Sequence, residues 1–150
     1  MKETARLRFA LCFPDVYEIG MSHLGSRILY EVINSREEYA CERCFAPWPD
    51  MEKAMRENNV PMFTLETRTP LAECDIVGFS LLYEMCYTNI LTMLDLAHIH
   101  KRSADRGENE PIIVAGGGCA CNPEPIADFM DAIMIGLSLI HISEPTRPEP

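Results

Sequence analysis

Short apolar segments alternate with amphipathic segments along this chain, and the alternation predicts strands that are separated by helices. Residues 5–14, ARLRFALCFP, alternate and then run apolar up to a proline, as a first strand would. Residues 19–35 then place apolar side chains at helical spacing, with Ser22 available to cap the helix. The apolar positions of this predicted helix are Leu24, Ile28, Leu29 and Val32.

The same alternation continues through the middle of the chain. Residues 39–47 predict a second strand, a short amphipathic helix begins near Asp50, and residues 60–67 predict a third, short strand. The clearest unit is residues 74–100, in which the apolar strand DIVGFS precedes a helix. One side of that helix carries Met85, Ile90, Met93, Leu94 and Ala97.

Two segments extend the pattern to residue 136. Residues 111–125, PIIVAGGGCACNPEP, predict a strand and a glycine turn, and residues 126–136, IADFMDAIMIG, predict a short helix and a last strand. Strands that alternate with helices predict an α/β fold with a doubly wound parallel sheet. Ligands of such sheets bind beyond the carboxyl ends of the strands.

The charge balance narrows the range of partners. The chain has 13 lysines and arginines against 23 aspartates and glutamates, a formal net charge of −10, and it has no basic cluster. We therefore expect no nucleic-acid contact. The apolar runs are short and the N-terminus has no hydrophobic signal region, so we expect a cytoplasmic protein without membrane contact.

The seven cysteines are expected to be thiols in that compartment. Cys41 and Cys44 form a CxxC pair, which can be a redox pair or half of a zinc site. In the usual 2-1-3-4-5 strand order, Cys119 and Cys121 would lie too far away to complete a zinc site. We interpret Cys41 and Cys44 as ordinary thiols. Cys119 and Cys121, in the glycine turn, could contact a ligand or could be there for the packing of small residues.

Three predicted strand ends carry glycine or polar residues that a plain connection would not need. Ser80 ends the strand DIVGFS, where its hydroxyl could donate to a ligand or cap a helix. Gly116, Gly117 and Gly118 follow the next strand. They would let a flat or phosphorylated ligand approach the backbone, or they form a tight turn.

The third strand end is the loop after the first strand, which contains Asp15, Tyr17, Glu18 and His23. Two carboxylates beside a tyrosine could do acid–base work, with solvation at the surface as the alternative. His23 could lie under a flat ligand or donate to a phosphate, or it could cap or pack at the start of the helix.

Longer stretches carry a family resemblance. LCFPDVYEIGMSHLG (residues 11–25), FAPWPDME (45–52) and AGGGCACNPEP (115–125) resemble the N-terminal cobalamin-binding-like domain of a family of radical SAM proteins. The resemblance runs from about Arg6 to Gly136. Ser80-Leu81-Leu82 and Gly116-Gly117 also resemble the SxL and GG signatures of flavodoxin-like cobalamin-binding domains.

The resemblance implies a flavodoxin-like (Rossmann-like) fold and a corrin cradle. Ser80 and Leu82 would line the side of the nucleotide tail, Gly116 to Gly118 would allow close approach, and the loop from Pro14 to His23, with Asp15 and Tyr17, would face the corrin. The DxHxxG signature of axial histidine ligation is not matched. Met21 stands in the place of the aspartate, and Leu24-Gly25 follows the histidine.

In that family a radical SAM barrel follows, whose CxxxCxxC loop holds a [4Fe-4S] cluster that binds S-adenosylmethionine. No CxxxCxxC occurs in this chain. The resemblance therefore implies that the cluster and S-adenosylmethionine belong to a C-terminal part. The barrel of the same full-length chain would be the partner of this domain, which alone is not expected to be catalytic.

The final residues, LSLIHISEPTRPEP (137–150), depart from the family pattern after Gly136. The DNA that would encode Leu137 to Arg147 resembles a transposon-end adapter used to build sequencing libraries. We therefore expect a domain over residues 1–136 that is incomplete at its C-terminal edge, followed by a non-native tail over 137–150. A genuine proline-rich linker is the alternative.

These observations lead to one principal hypothesis and two alternatives. The principal hypothesis is the N-terminal cobalamin-binding-type domain of a radical SAM enzyme, without the iron–sulfur barrel. The first alternative is a corrin-free interaction or substrate-gating module of the same protein. The second is a flavodoxin-like domain that binds a flavin or nucleotide, because the fold alone does not choose a ligand.

Overall fold

The computed structural model describes residues 5–136. Five strands form one sheet: β1 Leu7–Phe13, β2 Tyr39–Phe45, β3 Ile76–Ser80, β4 Ile112–Gly116 and β5 Ala132–Met134. Four α-helices accompany them: α1 Tyr17–Gly20, α2 Leu24–Asn34, α3 Pro49–Glu57 and α4 Tyr87–Leu96. Five 3₁₀ turns lie at Leu71–Glu73, Glu84–Cys86, Ser103–Asp105, Gly118–Cys121 and Ala127–Phe129.

The strand order is β2-β1-β3-β4-β5, and each neighbouring pair is parallel. Helices pack on both faces of this sheet, so the predicted doubly wound, flavodoxin-like α/β fold is confirmed. Ser80 lies opposite Gly116 in the register of β3 and β4. The carboxyl ends of β1, β3 and β4 therefore meet at one edge of the sheet.

The first face of the sheet holds the main core. Alternate residues of β1, β2 and β3, among them Ala10, Cys12 and Cys44, point to this face and pack against α3 and α4. Their partners include Met55, Ile90, Met93 and Leu94, all buried. Met85, which was predicted to share that apolar side, is 84% exposed, because α4 begins only at Tyr87. That prediction was wrong.

The second face is covered less completely by the described residues. Helix α2 packs on β1 and β2, but its predicted apolar positions Leu24 and Ile28 are exposed. Beyond α2, Ile112 is 53% exposed and Met134 is 46% exposed. Parallel sheets are normally covered on both faces, and exposed apolar surface favours association. We therefore predict that the isolated chain self-associates.

The predicted third strand at residues 60–67 is not part of the sheet. Within this segment Phe63 makes an isolated bridge to Pro70, and the chain turns around the buried carboxylate of Glu42. The hydroxyl of Thr64 donates to that carboxylate at 2.5 Å, and Thr67 donates to the same oxygen. A buried carboxylate needs such donors, so the segment folds back as a loop.

The connection between α4 and β4 is fixed by two charged side chains, Arg106 and Glu110. The guanidinium of Arg106 bonds Asp131 at 3.1 and 3.2 Å and donates to the carbonyl of His100 at 2.9 Å. The carboxylate of Glu110 accepts from the N–H groups of His100 and Gly107 at 2.8 and 3.0 Å. Burial raises the pKa of Glu110, but these bonds and the His100 ring lower it to about 2.

All seven cysteines are free thiols, and Cys41 and Cys44 do not point to the same side of β2. Burial raises the pKa of Cys41 to about 12, and Cys44 donates to the carbonyl of Phe63. Within residues 5–136 there is no group of three or more potential ligands that could hold a metal ion. No helix of this part is long and apolar enough to cross a membrane.

Candidate functional site

A shallow, open cleft lies between the carboxyl ends of β1 and β3. In the order 2-1-3-4-5 this is the point at which successive connections leave in opposite directions, where ligands of such folds bind. The cleft, called the crevice below, is lined by Phe13, Pro14, Asp15, Ser80, Leu82, Tyr83 and Cys86. Three predicted site residues, Asp15, Ser80 and Leu82, are therefore brought together.

Asp15 connects the two sides of the crevice. One carboxylate oxygen accepts the N–H of Val16 at 2.8 Å, and the other accepts the hydroxyl of Tyr83 from the loop after β3. The hydrogen bond to Asp15 is the main reason that the pKa of Tyr83 rises to about 12. Sequence reasoning missed Tyr83, because nothing in the local pattern pairs it with a residue 68 positions away.

Ser80 is buried at the last position of β3, and its helix-capping alternative is wrong for α4. The residue that precedes α4 is Cys86, six positions later in the chain. Leu81, after Ser80, is fully buried, and Leu82 is half-buried at the wall of the crevice. Ser80 therefore lies at the base of the crevice, where a hydroxyl can serve a ligand.

The glycine turn after β4 packs against Leu81. The N–H of Leu81 donates to Gly116 at 2.7 Å, and the N–H of Cys119 donates to the carbonyl of Leu81 at 3.1 Å. Gly117 has φ +127°, and a Cβ there would lie 2.5 Å from the Leu81 oxygen, so this position requires glycine. A Cβ on Gly118 would meet nothing within 4 Å. The space around the Cα of Gly118 is therefore not filled by any described residue.

His23 is the cap of α2, in place of the predicted Ser22. Its Nδ1 accepts the N–H of Ser26 at 3.1 Å, whereas Ser22 donates to Ile19 within the preceding turn. The His23 ring also packs on Phe13, with centroids 5.3 Å apart. Because Nδ1 accepts the N–H of Ser26, a neutral His23 ring carries its proton on Nε2, which can then donate a hydrogen bond.

Tyr17 lies on the outer rim rather than in the crevice. Its ring meets Phe45 edge to face at 5.4 Å, and its neighbour Glu18 accepts the indole N–H of Trp48 at 3.4 Å. Trp48 is 55% exposed, and Ile19 is also exposed. These side chains form an exposed rim beside the crevice. The two carboxylates predicted for acid–base work do not face one partner, because Asp15 pairs with Tyr83 and Glu18 with Trp48.

Tyr87 is a further residue that the sequence did not indicate. Its hydroxyl is buried and has no hydrogen-bond partner among the described residues. Burial raises the pKa of Tyr87, and Cys119, Glu84 and Cys86 are close enough to contribute. Cys86 lines the crevice, and Cys119 belongs to the glycine turn.

Comparison with known proteins gives a family and a structural likeness. Residues 25–142 match the family model described as "Radical SAM proteins, N-terminal". A search of curated proteins found no match. A novel cobalamin-binding protein from Desulfitobacterium hafniense DCB-2 has a similar structure, with 12% identity and a TM-score of 0.49. The alignment covers 92% of this chain and 56% of that structure.

Proposed function

Since this chain belongs to the family of N-terminal domains of radical SAM proteins, we propose that it holds a corrinoid at the carboxyl edge of its sheet. The corrinoid would be presented to the radical SAM barrel of the same full-length protein. Cobalamin, when bound, would supply a cobalt centre for methyl transfer or radical chemistry. The [4Fe-4S] cluster and S-adenosylmethionine would belong to the barrel.

The open space at Gly118 carries this proposal. Gly117 needs to be glycine for internal reasons, because a side chain would strike Leu81, but no described atom restricts position 118. A flat ligand that approaches the backbone closely would give glycine a purpose there. Gly118 follows two residues after Gly116, which lies opposite Ser80 in the register of β3 and β4.

Each predicted site residue would have a separate task. Ser80 would donate its hydroxyl to the nucleotide tail, and Leu82 would give that tail an apolar wall. Asp15 would hold the Tyr83 side of the crevice in place through the hydrogen bond already formed. Tyr17, on the rim, would contact the outer part of the corrin.

His23 would contribute without ligating cobalt. Its Nδ1 is committed to the cap of α2, which agrees with the missing DxHxxG signature. The remaining Nε2–H would donate to an amide or phosphate oxygen. The residues present thus fit a corrinoid that is held by shape and hydrogen bonds rather than by a histidine–cobalt bond.

Reconstitution tests this proposal. The full chain is incubated with hydroxocobalamin and desalted, and its absorption spectrum is recorded. We expect corrin absorption that co-elutes with the protein, and a His23→Ala variant with the same spectrum because no histidine–cobalt bond is lost. Absence of corrin from the wild-type protein would contradict the proposal. A changed spectrum for His23→Ala would contradict the claim that His23 does not bind cobalt.

A corrin-free interaction module is the second candidate function, and the exposed rim favours it. The rim includes Tyr17, Ile19, Trp48 and Met51, all exposed. The loops at residues 14–23, 46–52, 81–87 and 117–126 contain no lysine or arginine but six carboxylates. Aromatic and methionine side chains suit a protein interface, and the carboxylates suit a basic partner surface.

Trp48 provides the test, because it is the single tryptophan of the chain. Adding the barrel as a separate polypeptide should shift the Trp48 emission without cobalamin if this module docks there. A Trp48→Phe variant with weaker binding to the barrel would support the second candidate. Unchanged emission would exclude docking on this rim.

A further inference from the structure

The hydroxyl of Tyr87 is a buried polar group that the fold itself does not use. Within residues 5–136 it is the buried side-chain oxygen or nitrogen without a hydrogen-bond partner. Buried polar groups in native proteins are nearly always paired, because an unpaired one destabilises the fold. Tyr87 directly follows Cys86, which lines the crevice, so an exception at this position points to a partner outside the chain.

Tyr87 follows a crevice residue in the chain, and Cys119 of the glycine turn is among the groups that act on it electrostatically. It is the first residue of α4, directly after Cys86, which lines the crevice. The thiol of Cys119, one residue after the open Gly118, is close enough to act on its phenol. The N–H of Cys119 donates to the carbonyl of Leu81 at 3.1 Å, which fixes the glycine turn relative to Leu81.

We propose that Tyr87 is a binding residue of the crevice, whose hydroxyl pairs with an amide or carbonyl group of the bound ligand. This inference rests on the proposed function, since a corrinoid carries amide side chains around its macrocycle. A phenol can both donate and accept, so it can pair with either end of an amide. Binding would satisfy the group that the free protein leaves unpaired.

Tyr87→Phe in the full chain separates this role from a structural one. If the hydroxyl has no internal partner, its removal leaves the thermal unfolding midpoint unchanged or raises it by about a few degrees. The same substitution weakens hydroxocobalamin binding by about three- to tenfold, because one hydrogen bond to the ligand is lost. A merely structural tyrosine would give the opposite result on stability.

Tyr30→Phe is the matched control. Tyr30 lies on α2 with the guanidinium of Arg43 4.5 Å from its ring centre, away from the crevice, so its removal should leave cobalamin affinity unchanged. A lower unfolding midpoint for Tyr87→Phe, or an unchanged affinity while the wild-type protein binds, overturns the role of Tyr87 alone. A wild-type protein that does not bind cobalamin overturns the proposed function and this inference together.

Discussion

Gly117 and Gly118 are neighbours for which the structure gives opposite expectations. An alanine at Gly117 would have φ +127° and ψ −171°, a conformation available almost only to glycine, at a cost of about 1–3 kcal/mol. Its Cβ would also lie 2.5 Å from the Leu81 oxygen and 3.1 Å from the Leu81 nitrogen and carbonyl carbon. Leu81 is fully buried and cannot move freely. We therefore expect Gly117→Ala to lose about 3 kcal/mol or more of stability.

Gly118→Ala is the control, because its added methyl group would meet no described atom within 4 Å. Its effect should lie within about 0.5 kcal/mol of zero, or slightly on the stabilising side, since alanine restricts the unfolded chain. Urea unfolding followed by circular dichroism should give a midpoint about 1 M or more lower for Gly117→Ala than for Gly118→Ala. Equal midpoints would refute the packing of the glycine turn on Leu81.

Three further results are expected. Asp15→Asn should lower the pKa of Tyr83 from about 12 toward 10, measured by ultraviolet titration; in the wild-type protein this bond stabilises the fold below pH 10 and is lost as pH rises to 12. An unchanged Tyr83 titration would contradict that pairing. The Glu110 carboxylate stabilises the fold above its ordinary pKa of 4.5, and this is lost as pH falls to about 2, so Glu110→Gln should flatten acid unfolding over that range. A wild-type-like acid profile would be inconsistent with those bonds. Arg106→Ala should lower the free energy of unfolding by about 2–4 kcal/mol, because the Arg106 side chain is only 4% exposed. The control Arg6→Ala, at the surface, should lower it by less than about 0.5 kcal/mol. Comparable urea midpoints for the two variants would contradict the bonds of Arg106 to Asp131 and His100.

Local patterns were sufficient for most of the sheet. The alternation in residues 5–14 and the apolar run DIVGFS correspond to β1 and β3, because strands that are buried on one or both faces leave a period or a continuous run in the sequence. The glycine turn was predicted from its three consecutive glycines. The meeting of Asp15, Ser80 and Leu82 followed from the rule that the carboxyl ends of parallel strands lie at one edge of the sheet.

Features that depend on residues distant in the sequence could not be predicted from local patterns. Residues 60–67 have the composition of a strand, but the threonines bind Glu42, more than 20 positions away, and the chain turns instead. Ser22 is the better intrinsic cap, yet the imidazole of His23 reaches the N–H of Ser26. The buried hydroxyl of Tyr87 likewise has no local signature.

The expectation for residues 137–150 lies outside the described residues. The family match runs from residue 25 to 142, so it does not itself mark Gly136 as a boundary. Amplification and resequencing of the source DNA across the codon for Gly136 checks the adapter hypothesis. A frame that continues into a CxxxCxxC segment is the expected result, and the same tail followed by a stop codon would contradict it.

The most direct test of the central claim is an equilibrium titration of the full chain with hydroxocobalamin, carried out on the wild-type protein and on Gly118→Ala. The wild-type protein should bind, and Gly118→Ala should bind several-fold more weakly while its urea midpoint stays the same, because the methyl group occupies space that the fold leaves open. Equal affinity in both proteins would place any corrinoid away from the glycine turn, and no binding by the wild-type protein would contradict a corrinoid at this edge.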